Sequence, residues 1–111
     1  MADYLSAKQR LKAMYPELRQ LIGYVSANAH GYDDDPIART IRQWVSEEDT
    51  DLLQKAITQL DEATKHLPVT VGELSAMSNY TLESDEDARQ LLLALRDGLQ
   101  AGLKARPKKN T

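Results

Sequence analysis

The chain is expected to be all-α, a compact bundle of about five to six short antiparallel helices. Apolar residues recur at spacings of three and four almost throughout, and no stretch keeps the strict alternation of a half-buried strand. Prolines and Ser, Thr or Asp capping signals divide the chain into helix-length pieces joined by short loops. At 111 residues it fits one domain, large enough to bury a single core without covalent staples.

Leu11, Tyr15, Leu18, Ile22 and Val25 lie on one helical face, but Pro16 interrupts the hydrogen-bond ladder. The spacing therefore predicts two helices, roughly 3–14 and 16–28, in place of one rod. Gly31 and Asp33-Asp34-Asp35 make a loop, after which Asp35 caps a helix that begins at Pro36 and buries Ile37, Ile41, Trp44 and Val45. Ser46 and Asp49 have capping-box spacing before the stripe Leu52, Leu53, Ala56, Ile57 and Leu60, and Pro68 ends that helix. Thr70 and Glu73 form a second capping box, flanked by Val69 and Leu74 at the positions of a hydrophobic staple, for a short helix stopping near Asn79. Ser84 and Asp87 open the last helix, with Ala88, Leu91, Leu92, Leu95, Leu99 and Leu103 inside and Arg89, Arg96 and Lys104 outside. Residues 1–104 read as the domain and 105–111, containing Arg106, Lys108 and Lys109, as a flexible basic tail.

Charge is distributed unevenly. Residues 28–51 carry −5 and 61–87 carry −6, whereas both ends are basic and the whole chain is −3. An acidic middle steers encounter with a positively charged macromolecule, although charge runs also serve as plain solvated faces. The acidic balance argues against direct nucleic-acid binding, which rests on Lys and Arg. No cysteine means no disulfide and no thiolate ligand, which suits a cytoplasmic setting. The N-terminus lacks the pattern of a secretory signal, and no apolar run approaches the roughly 20 residues of a membrane span. The expectation is a soluble cytoplasmic protein without a membrane partner.

His30 with Asp33, Asp34 and Asp35 has ligand types suited to a metal, but the alternation of a calcium loop is absent, so no metal is assigned. Exposed aspartates keep low pKa values unless burial or like charge raises them, which weakens the same group as an acid/base centre. His66 lies at a helix end, where interaction with the last carbonyls explains it. No serine has a G-x-S-x-G context and there is no glycine-rich phosphate loop. The chain is accordingly expected to be no enzyme and to hold no cofactor. Trp44 fits the core stripe, and Tyr32 the surface beside the acidic loop.

Tyr15-Pro16-Glu17-Leu18, then Gln20-Leu21-Ile22, Tyr24 and Asp35-Pro36, resemble the opening of a family of bacterial contact-dependent growth inhibition immunity proteins. Glu47 through Leu60 and the segment Leu92 through Leu99, with its Leu95-Arg96-Asp97-Gly98-Leu99, are similar to later parts of that family, and the likeness covers roughly residues 15 to 103. The chain departs from it at Ala27-Asn28-Ala29-His30-Gly31-Tyr32, where relatives have an aromatic-x-Gln-Asp-aromatic group. The resemblance implies a small inhibitor that occludes a cognate toxin C-terminal domain, often a nuclease acting on RNA or tRNA with a basic groove. Tyr32, Asp33, Asp34, Asp35, Glu47, Glu48, Asp49 and Asp51 are then the expected partner-binding residues, the carboxylates standing where phosphates would. The alternative is a helical adaptor or regulatory subunit for a basic protein partner.

Overall fold

The computed structural model describes residues 3–29 and 35–106, with side chains from Ala7 onward. Six helices follow one another: α1 (Asp3–Met14), α2 (Pro16–Asn28), α3 (Pro36–Glu47), α4 (Thr50–Lys65), α5 (Val71–Ser78) and α6 (Asp85–Ala105). The fold is an all-α bundle, with no strand among the described residues. The break at Pro16 falls where its missing N–H requires, since Pro16 occupies the first position of α2.

Each apolar stripe turns inward. Leu18, Leu21, Ile22 and Val25 of α2, Leu53, Ala56, Leu60 and Ala63 of α4, and Ala88, Leu91, Leu92, Leu95 and Leu99 of α6 are buried together. Each fully buried leucine contributes about 1.5–3 kcal/mol over an exposed one. α3 adds Trp44 and, unexpectedly, Thr40, both buried. The Thr40 hydroxyl donates to the Pro36 carbonyl at 2.8 Å and accepts from Asn28 Nδ2 at 3.0 Å, so nothing polar is left unpaired there. Asn28 also donates to Gln43 Oε1 at 2.9 Å, pinning the end of α2 to α3.

α6 lies between α3 and α4. A methyl on Gly98 would overlap Ile41 Cδ1, and one on Gly102 would overlap Val45 Cγ2. The two glycines, one turn apart, thus let α3 approach closely, and the matched order of the pairs means that α3 and α6 run parallel. α4 runs antiparallel to α6, with Arg96 Nη1 on Asp61 at 2.8 Å and Arg89 Nε donating to the Thr64 carbonyl at 3.1 Å. The expected antiparallel bundle therefore includes a parallel pair, α3 and α6, made possible by the long return through α4 and α5.

The caps are mostly those expected. Asp35 accepts from the Ile37 N–H, Thr70 and Glu73 exchange both bonds of a capping box, and Ser84 accepts from the Asp87 N–H. Val69 and Leu74, the two staple positions, are both buried. Asn79 ends α5 in the left-handed region at φ 64°, where Asn is tolerated. One cap is corrected. Ser46 lies inside the last turn of α3 and donates to the Gln43 carbonyl, while Asp49 alone caps α4 by accepting from the Leu52 N–H at 2.9 Å. α3 continues to Glu47, so the serine is already helical when the next helix begins.

Candidate functional site

The surface considered for function runs along α3, from its start at Asp35 to the corner where it hands over to α4. Tyr32, Asp33 and Asp34, and also His30, lie outside the described residues. Twelve residues at 1.5 Å each put Asp35 about 18 Å from the corner that carries Glu47, Glu48, Asp49 and Asp51. The structure thus divides the described candidates into two ends of one helix.

Asp35 is committed to the fold. Its Oδ1 accepts from the Ile37 N–H at 3.0 Å and lies 3.5 Å from the Tyr80 hydroxyl. Burial, and then the Asp35 charge, push the Tyr80 phenol above its usual pKa of 10.0. Asp49 is likewise an N-cap, and Asp51 sits in the first turn of α4, where the helix dipole favours an acid. Asp85, Glu86 and Asp87 occupy the equivalent turn of α6. Much of the acidity read from the sequence is therefore explained by helix starts.

Glu47 and Glu48 are different. They stand at the last residue and the C-cap of α3, the negative end of its dipole, where carboxylates are unfavourable. No basic residue lies in the last turn of α3. The compensating cation comes from the far end of the chain: Arg106 Nη2 donates to the carbonyls of Val45 at 2.5 Å and Glu48 at 2.6 Å, and Nη1 donates to Thr50 Oγ1 at 3.2 Å. Because α3 and α6 are parallel, their negative ends lie toward this corner, and Arg106, the C-cap residue of α6, reaches across to the end of α3. Arg106, assigned from the sequence to a flexible tail, is thus docked on the bundle, and α6 itself runs to Ala105. Among the described residues, the carboxylates of Glu47, Glu48, Asp49 and Asp51 form no ion pair.

Elsewhere the polar groups act structurally. Trp44 is 1 % exposed and packs edge to face on Tyr24 at 5.7 Å, and its Nε1 has no hydrogen-bond partner. Arg96 sits between Asp97 and Asp61, whose hydrogen bonds hold its guanidinium charged beyond its ordinary range. The His66 side chain is exposed, and its backbone N–H closes α4 on the Glu62 carbonyl. The apolar cavity between Leu11, Leu18, Leu74 and Leu92 measures about 10 Å³, room for at most one water. Among the described residues, no three His, Asp or Glu side chains come together as metal ligands, and no helix is long and apolar enough to cross a membrane. The chemistry available at the α3–α4 corner is recognition of a cation by carboxylates and backbone carbonyls.

No family model, curated protein or solved structure matches this chain.

Proposed function

We propose that the chain is a non-enzymatic immunity protein that binds a cognate contact-dependent growth inhibition toxin domain, a nuclease with a basic substrate groove, and neutralises it by covering that groove. The observation that carries the reading is the placement of Glu47 and Glu48, two carboxylates kept at a helix C-terminus where they oppose the dipole. Helix stability does not account for them, and recognition of a basic surface does. Exposed Asp49 and Asp51 add charge to the same corner. The class of partner rests on the likeness of Tyr15-Pro16-Glu17-Leu18 and the following segments to immunity proteins. Carboxylates paired with the Lys and Arg that bind phosphate steer the encounter and block the substrate path.

Co-expression with the C-terminal toxin fragment encoded immediately upstream, scored by host survival and co-purification, tests the reading. The wild-type chain is expected to rescue growth and form a stable complex. The double variant Glu47→Gln/Glu48→Gln is expected to weaken binding and flatten its salt dependence with no loss of thermal stability. Failure of the folded wild-type chain to rescue would favour the adaptor for a basic protein partner.

A further inference from the structure

We propose that the α3–α4 corner is a receptor for an arginine side chain of the partner, with Arg106 as an internal competitor that the partner's arginine displaces. The proposal takes its partner from the function proposed above, whereas the receptor rests on geometry alone. The carbonyls of Val45 and Glu48 and the hydroxyl of Thr50 converge on one guanidinium, engaging two of its nitrogens at once. Acceptors arranged for two nitrogens of a planar fork suit arginine, while lysine offers a single ammonium point charge. Glu47, Asp49 and Asp51 are sequence neighbours of these acceptors and form no ion pair among the described residues, so an incoming basic segment meets more negative charge near the corner than Arg106 neutralises.

Arg106 is also placed to leave. It lies one residue beyond the last helical residue of α6 and its guanidinium is held by three polar contacts, whereas the buried stripe of α6 ends with Leu99. Release gives up three hydrogen bonds and leaves that stripe in place. A site occupied in this way binds an outside ligand less tightly, in proportion to the fraction of time that Arg106 vacates it.

Titration of the full chain with hexa-arginine and hexa-lysine peptides, followed by calorimetry and amide NMR, tests this. Hexa-arginine is expected to shift the Glu48 and Thr50 amides and to bind Arg106→Gln about tenfold tighter than wild type. Hexa-lysine is expected to bind more weakly and to gain little from the variant. Equal hexa-arginine affinity for wild type and variant, or shifts confined to other surfaces, would overturn the proposal. On the unmodified chain the Arg106 Nε–H resonance must change at saturation, so the outcome does not depend on the variant folding; an unchanged resonance also overturns it. The titration uses no toxin, so loss of the immunity reading in the survival assay and loss of the arginine receptor are separate results.

Discussion

Asp35 Oδ1 is shared between the start of α3 and the Tyr80 hydroxyl, which ties the α5–α6 connection to the candidate surface. Because the Tyr80 pKa is raised in the fold, the protonated phenol is held more tightly there than in the unfolded chain. Its stabilising contribution is therefore complete below pH 10 and is lost as pH rises through the folded pKa. Ultraviolet titration should show Tyr80 ionising late, a component lost in Tyr80→Phe, and that variant should reduce the fall in stability above pH 10. Asp49 separates charge from capping. Asp49→Ala should cost about 1 kcal/mol in chemical denaturation, whereas Asp49→Asn, an equally good cap, should cost little and remove only charge from the corner. Trp44, the sole tryptophan, is buried and reports both unfolding curves by fluorescence. At this scale the sequence was informative where a residue acts on its own neighbours, as Asp35, Thr70 and Ser84 do. It was silent on Thr40, whose burial depends on Asn28 reaching across from α2.

The same distinction separates the elements. All six helices were readable from spacing, because each helix's period and prolines are local, although of the stripe expected on α3 only Trp44 is buried, with Ile37, Ile41 and Val45 half-buried against the core. The caps that were missed are supplied by other helices. α2 has no side-chain cap of its own at Tyr15, and Gln59 of α4 accepts from the Leu18 N–H at 3.0 Å while donating to Glu17 at 2.6 Å. Arg89 of α6 closes α4, and Arg106 closes α3. Their sequence separations leave no local motif to recognise. The glycines of α6 make a sharper test. Ala is favoured over Gly in a helix by about 1 kcal/mol, yet overpacking costs about 1–3 kcal/mol. Gly98→Ala and Gly102→Ala should therefore lower stability as α3 is pushed outward, while Gly23→Ala, where a methyl meets nothing within 4 Å, should raise it by up to about 1 kcal/mol. Urea denaturation of the three variants checks the sign of each.

Across the molecule, much of the acidic middle of the sequence resolves into separate helix ends, and at the α3–α4 corner Glu47 and Glu48 set charge against the helix. The charge asymmetry was legible from composition; its division was not, because it follows from α3 and α6 running in the same direction. Arg106→Gln should lower the melting temperature by several degrees, consistent with about 1–2 kcal/mol for charged hydrogen bonds at a helix terminus. In the same variant the corner should become more negative, and electrophoretic mobility toward the anode should rise. The parallel pairing also bears on timing during synthesis. Ile41 and Val45 must wait for Gly98 and Gly102, and the carbonyls at the end of α3 must wait for Arg106, so this face matures only once α6 has been made and has folded back. A nascent chain that exposes α1 to α4 alone would not yet present the finished corner.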